Sequence, residues 1–255
     1  LKRPLDEPYP YVFVDARYEK IRRDHKVESN GVLIAKGVNS QGKRDLLGVQ
    51  VCNTENETTW SDFFESLIQR GLKGVLLVIS DDHGGLVNAI EKHFPGTQWQ
   101  RCQVHFMKNV LDKVRGRDKA WVKSRLSDIF LAPDKQAGFA RLQQLVADLA
   151  DRYPSLADLL EADGEDALAC LNFPSQHRRR IRTTNGLERF NQEIKRRTRI
   201  IRIFPNQASA LRLIGALCME QSEEWLTGKQ YLDMSLLEKL NQEQEAELRL
   251  EMTAA

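Results

Sequence analysis

Apolar and polar positions follow two different rhythms along this chain. Over the first hundred residues the apolar positions come in short bursts rich in Val, Ile, Tyr and Phe; beyond Met107 they recur every three or four residues. The stretch YVFVDARYEKIR (11–22) has no Pro or Gly and reads as a strand. GVLIAKGVNS and RDLLGVQVCNT follow, separated by the turn-forming NSQGK, which predicts a three-strand antiparallel meander. In TTWSDFFESLIQRG, Trp60, Phe63, Phe64, Leu67 and Ile68 fall at helical spacing, with Gly71 placed to end the helix. GVLLVISDD reads as a short buried strand ended by acids, GGLVNAIEKHF as a helix and TQWQRCQVHF as a fifth strand or strand-like segment.

The order strand, strand, strand, helix, strand, helix, strand predicts an α/β fold with a mixed sheet and helices packed on it. WVKSRLSDIF, KQAGFARLQQLVADLADRY and LADLLEADGEDALACL then carry helical periodicity, broken by APD and YPS. The expected organisation is a first core segment over 1–106 and an all-helical insertion over 107–176. A last core segment with a basic helix covers 177–235, and an acidic tail, solvated helix or disordered, covers 236–255.

Composition adds limits. The chain has 255 residues, 41% hydrophobic and 29% charged, as in an ordinary globular protein. No apolar run approaches the roughly 20 residues that cross a bilayer. Cys52, Cys102, Cys170 and Cys218 are scattered and no export signal is visible, so reduced thiols and a cytoplasmic, nucleoid-associated location are expected. Net charge is only +2, but it is segregated: residues 177–202 hold ten Arg/Lys against two Glu, and the rest carries 28 basic and 34 acidic residues. Such segregation points to a surface for a polyanion, and a merely solvated helix is the alternative.

The candidate chemistry lies in three carboxylates far apart in sequence. Asp15 sits inside the first apolar strand, where an unpaired charge is expensive; Asp81 and Asp82 stand where the GVLLVIS strand runs out; Glu188 lies among the basic residues. Brought together, three carboxylates repel unless a cation neutralises them, and Mg²⁺ (or Mn²⁺), as a pair of ions, suits phosphoryl transfer. Each has an ordinary structural role as the alternative. Asp15 is able to pair with Arg17 or Lys20, Asp81 or Asp82 to cap the next helix, and Asn185 with Glu188 has capping-box spacing. Asn185, Glu188 and Asn191 are spaced i, i+3, i+6 and share a helix face, so the two asparagines are candidates to support the ligands. Arg189, Lys195, Arg196, Arg197 and Arg199 alongside would hold DNA phosphates.

YPYVFVDARYEKIR, SDDHGGLVNAI, CQVHFMKNV and TTNGLERFNQEIKRR occur in one order along the chain. Together they resemble the catalytic region of mutator-type insertion-sequence transposases, bacterial relatives of the Mutator-like elements, over nearly all of residues 1–235. The resemblance implies a ribonuclease H-like fold interrupted by the helical insertion, and a triad of Asp15, Asp81 and Glu188, with Asp81 rather than Asp82 as the second ligand. It implies Mg²⁺-dependent strand cleavage and strand transfer on double-stranded DNA, element ends and target, by a homo-oligomer with no membrane or small-molecule cofactor. Such transposases carry a helical DNA-binding region ahead of the catalytic one. Since Asp15 lies fifteen residues in, end recognition is expected upstream of Leu1. A nuclease on the same fold and a DNA-binding remnant that does not cut are the rival functions.

Other residues stay open. Cys102 and His105 have the spacing of half a zinc site, but no second Cys/His pair completes it; the resemblance puts them at the end of the fifth strand beside the triad, against an ordinary buried Cys and His. His83 is either a partner of the metal site or a capping residue. Trp121 is either a base-stacking residue or part of the helical core.

Overall fold

The structure, a computed structural model, describes residues 2–254. Its elements begin with strands β1 (Tyr11–Arg23), β2 (Lys26–Val38) and β3 (Arg44–Cys52), helix α1 (Glu57–Gln69), β4 (Leu77–Ser80), α2 (Gly84–His93) and β5 (Gln98–Arg101). Helices follow: α3 (Gln103–Asp112), α4 (Lys119–Phe130), α5 (Lys135–Leu149), α6 (Pro154–Asp163), α7 (Ser175–Ile181), α8 (Asn185–Thr198), α9 (Gln207–Thr227) and α10 (Ser235–Ala254). They form two compact units, Leu1–Cys102 with Thr183–Tyr231, and Gln103–Arg182 with Leu232–Ala255.

The first unit is built on a five-stranded mixed sheet in the order β3-β2-β1-β4-β5. β1, β2 and β3 pair antiparallel, as the alternating pattern predicts, and β4 and β5 add parallel to β1. β1 and β2 are joined by a two-residue turn at Asp24 and His25, both with positive φ, the backbone that matches strand twist in a tight hairpin. Residues of β1 alternate between faces. Val12 and Val14, with Leu33, Ala35 and Leu47, pack against Trp60, Phe63, Phe64 and Leu67 of α1 and Leu86, Ala89 and Ile90 of α2. The opposite face of β1 carries Tyr11, Phe13, Asp15, Arg17, Glu19 and Ile21; Ile21 packs with Phe204 and Ala210 beside α9. Buried Asp45 fixes α9 to β3, accepting hydrogen bonds from Tyr9 Oη (2.8 Å), Ser222 Oγ and the Arg3 guanidinium.

Local chemistry sets the ends of α1. Asn56 and Thr59 close a reciprocal capping box at its start (3.0 and 3.1 Å). Gly71 follows its last turn with φ of 102°, and a Cβ there would lie 2.7 Å from the Leu5 carbonyl oxygen, so only glycine fits.

Two expectations change. The fifth strand stops at Arg101: Cys102 N–H still bonds to Ser80 O (2.7 Å), but Gln103 begins α3. The alternation in QVHF imitates a strand, whereas Phe106 and Val110, both buried, show the four-residue spacing of a helix. The basic stretch is two helices, α7 and α8, interrupted at 182–184.

The second unit is helical. Val122, Leu126 and Ile129 of α4 and Leu142, Leu145 and Leu149 of α5 are buried, and Arg125–Asp148 (3.0 Å) with Arg141 to the Asp128 carbonyl (2.6 Å) tie the two helices. Asp233, just before α10, accepts through its carbonyl from His177 of α7 (2.8 Å). Among the described residues no helix is long and apolar enough to cross a membrane.

Candidate metal and nucleic-acid site

The β1–β4 ladder ends at Phe13 opposite Ile79. Two residues further along each chain stand Asp15 and Asp81, so the parallel register carries the two acids to the same end of neighbouring strands. Asp15 Oδ2 accepts from Asn191 Nδ2 of α8 (2.7 Å). Its carboxyl is pushed up to about 7, chiefly by burial, then by the charge of Asp81, with a further contribution from Glu188; the Asn191 hydrogen bond pulls the other way. Asp81, just past β4, and Glu188 of α8 thus both bear on Asp15 of β1.

The alternative role of Asp15, an ion pair with Arg17 or Lys20, is not found among the described residues. The Arg17 guanidinium is taken up by Glu19 (2.6 Å) and by the backbone oxygen of Asn191 (2.9 Å), and Glu19 in turn accepts from Thr198 Oγ1 (2.9 Å). This ladder along one face of β1 fixes the seat of α8. Sequence reasoning did not find Arg17 as a site residue, although its place two residues after Asp15, on the same strand face, was the available signal.

At the second acid, Asp82 pairs with the buried Arg101 (2.9 Å) while Asp81 acts on Asp15. Neither caps α2: His83 occupies the cap position and makes no side-chain cap bond. The His83 ring turns toward Glu55, with Nδ1 3.8 Å from Oε1.

Glu188 is not part of a capping box. The cap residue of α8 is Thr184, whose carbonyl takes the Leu187 and Glu188 N–H groups, and Asn185 is the first helical residue. Thr184 Oγ1 donates to Glu188 Oε1 (2.9 Å), and Thr184 N–H reaches Cys102 Sγ (3.4 Å). Cys102, at the end of β5, thus anchors the threonine that orients Glu188. His105 lies in the first turns of α3, in the second unit.

Lys36 was also missed by sequence reasoning. It is 1% exposed, with Nζ 3.7 Å from the centre of the Phe13 ring, and a Cβ on Gly186 would come within 3.0 Å of that nitrogen. Burial, with the charge of Arg44, lowers its pKa to about 7.

Arg189, Lys195, Arg196, Arg197 and Arg199 are all exposed on or just after α8. Arg196 and Arg197 both bind Glu193 (2.6 and 2.9 Å), whose carboxyl they hold down at about 2. Trp121 of α4 is 44% exposed, with the Arg125 guanidinium 5.8 Å from its ring, so it is not core.

The charges of Asp81 and Glu188 both act on the Asp15 carboxyl, and Asn191 Oδ1 is buried with no hydrogen-bond partner among the described residues.

The profile of the family described as "Transposase, Mutator family" matches residues 1–228. The chain is 44% identical over 235 residues to the transposase for insertion sequence element IS406 of Burkholderia multivorans, covering 92% of this chain and 60% of that protein. It is 42% identical over 233 residues to the transposase for ISRM5 of Rhizobium meliloti, covering 91% and 58%. With the transposase for IS256 in transposon Tn4001 of Staphylococcus aureus the identity is 39% over 231 residues, covering 89% and 59%. The chain thus spans about three fifths of the length of these relatives. A profile matched across nearly the whole chain and relatives at this identity agree with one another: the chain belongs to the Mutator family of transposases.

Proposed function

We propose that this chain is the catalytic part of an insertion-sequence transposase, a ribonuclease H-like domain that cuts and joins DNA through Asp15, Asp81 and Glu188. The observation that carries this reading is that Asp15 and Asp81 stand at the same end of neighbouring parallel strands, with the charges of Asp81 and of Glu188 from α8 both acting on Asp15. The sheet order supports the fold: an antiparallel meander extended by two parallel strands, with one acid on the first strand and one just past the end of the fourth.

Asp15, Asp81 and Glu188 would hold Mg²⁺ or Mn²⁺, and when bound the ions supply an activated water and charge stabilisation at a phosphodiester. The chain's own residues do the rest. Asn191 and Arg17 hold α8 against Asp15, and Thr184 with Cys102 sets the Glu188 carboxylate. Arg189, Lys195 and Arg199 take the DNA phosphates. The reaction class is hydrolysis of a phosphodiester to free a 3′-hydroxyl, followed by attack of that hydroxyl on a target phosphodiester. Positioning and charge stabilisation are the protein's share of both steps.

The test is Glu188→Gln, which keeps shape and removes charge. Mn²⁺-dependent cleavage and strand transfer of duplex DNA should be abolished while DNA binding stays near the parent level. Cleavage at close to the parent rate would refute the triad, and cleavage without joining in the parent would identify a nuclease instead.

A further inference from the structure

β1 outruns its parallel partner. Its ladder with β4 ends at Phe13, and pairing on that edge resumes only where Phe204 bonds to Lys20 O and Arg22 N–H (both 2.8 Å). Residues 14–19 lie between the two, so the edge of β1 forms a notch, with Asp15 at its lower end and Asp81 beside it. One residue in this notch is a large exposed aromatic, Tyr18, at 54%.

Tyr18 is exposed but held. Its hydroxyl donates to Glu55 Oε2 (2.6 Å), and the other oxygen of that carboxylate accepts from Trp60 Nε1 (3.2 Å). Glu55 is 8% exposed and Trp60 is fully buried in the core between sheet and α1, so the tether is rooted in the rigid part of the unit. Across the hairpin the partner of Tyr18 is Gly31, which has no side chain to cover the ring. The hydrogen bond to Glu55, then burial, push the Tyr18 phenol up, and the charge of Asp81 adds a small contribution. A tether of this kind lowers the entropy lost when a flat ligand stacks on the ring, which is the economy of a preorganised contact.

We propose that Tyr18 is a stacking platform for a nucleobase of the DNA strand that passes through the Asp15–Asp81–Glu188 site, held in place by Glu55 and Trp60. Stacking on an aromatic ring tolerates any base, so the contact positions the strand without reading its sequence. Asp15 shares the α8 face of β1 with Arg17 and Glu19, and Tyr18 stands on the other face, so a strand at the carboxylates would reach the ring around the open edge of β1.

This inference rests on the phosphodiester reading of the carboxylate site, and the experiment separates the two. The chain carrying Glu188→Gln is mixed with a forked DNA duplex bearing 5-iododeoxyuridine at the junction, irradiated, and the crosslinked residue is mapped by mass spectrometry. Crosslinking at Tyr18 is expected, retained in Tyr18→Phe and lost in Tyr18→Ala, with affinity for the fork falling about fivefold or more in Tyr18→Ala. Because the ring is largely exposed, the thermal stability of Tyr18→Ala should match the parent, and this is checked by melting. Binding with crosslinks elsewhere, or an affinity within twofold in Tyr18→Ala, overturns the platform and leaves the carboxylate site standing. Failure of the Glu188→Gln chain to bind the fork at all counts against the phosphodiester reading itself.

Discussion

Asp15→Asn offers the most direct physical test of the carboxylate site, because it needs neither DNA nor catalysis. The ordinary Asp value is 3.8, and in the folded chain the carboxyl is pushed up to about 7 by burial, by Asp81 and by Glu188. A carboxyl whose folded pKa lies above its unfolded one keeps its proton more tightly when folded. Raising the pH through that window therefore costs stability, and stability returns as the pH falls. With about 1.4 kcal/mol per pKa unit, linkage gives a loss of roughly 2–3 kcal/mol between about pH 5 and about pH 8. Asp15 is partly open to water, which screens the effect, so about 1.5–3 kcal/mol is the expected range.

The measurement is urea unfolding in EDTA across that pH range, for the parent and for Asp15→Asn. Asparagine keeps the size and still accepts from Asn191 Nδ2. The stability difference between the two proteins should favour the variant increasingly as pH rises. Other titrating groups, Lys36 among them, act in both proteins and cancel. Saturating Mn²⁺ should reverse the order at the upper end of the range, because a ligand that binds only the folded state stabilises it by mass action and the variant lacks a ligand. Parallel pH curves in EDTA would mean that Asp15 is neither desolvated nor pressed by Asp81 and Glu188, and the convergence would be wrong.

Two further outcomes follow from the same surroundings. Lys36 titrates the opposite way: its folded pKa is lowered to about 7 from 10.5, so stability rises with pH between those values and is reduced below them. Lys36→Met should raise stability at about pH 6, on the order of 2 kcal/mol once the lost contact with Phe13 is allowed for, and should flatten the alkaline slope in chemical unfolding; a variant less stable than the parent at that pH would refute this. On the DNA face, replacing Arg189 and Lys195 with Ala should lower the slope of log affinity against log salt by about 2, whereas replacing Arg196 and Arg197 should lower it by less because Glu193 already partners both. Glu193→Ala should strengthen binding; salt-dependent titrations in which it weakens binding would show that the two arginines do not face DNA.

What was legible in the sequence is what depends on local pattern. The β1–β3 meander follows from alternation and turn residues, and the face holding Asp15 follows from its place among buried neighbours in a strand. The end of β5 was not legible, because QVHF alternates like a strand while Phe106 and Val110 bury on a helix. The start of α8 misled in a similar way. Asn185 and Glu188 have capping-box spacing, yet the cap falls one residue earlier at Thr184, held by the thiol of Cys102 from β5. That choice is tertiary, and no spacing within residues 182–188 reveals it. Arg17, Lys36 and the Tyr18–Glu55–Trp60 tether depend on partners 30 or more residues away, on a cross-strand neighbour or on a single core ring.

The surplus of positive charge around one glutamate is resolved by the geometry of α8. Leu187, Phe190, Ile194 and Thr198 recur at three- and four-residue steps and are buried, which turns one side of the helix to the sheet. Glu188 and Asn191 lie at the margin of that stripe; Asn191 bonds to Asp15 and the Glu188 charge acts on it, from a helix whose seat is fixed by Arg17 and Thr198. Arg189, Lys195, Arg196, Arg197 and Arg199 fall on the side left over and are exposed. Helical periodicity thus separates the charges: the acid is placed inward and the cations outward, a single turn apart. On the proposed reading, a phosphodiester at the carboxylates would meet cations through its neighbouring phosphates, as phosphoryl transfer on a polyanion requires. Glu193 is the one acid on the outer side, and its pairing with Arg196 and Arg197 keeps those two in a fixed fork rather than adding a repulsive charge.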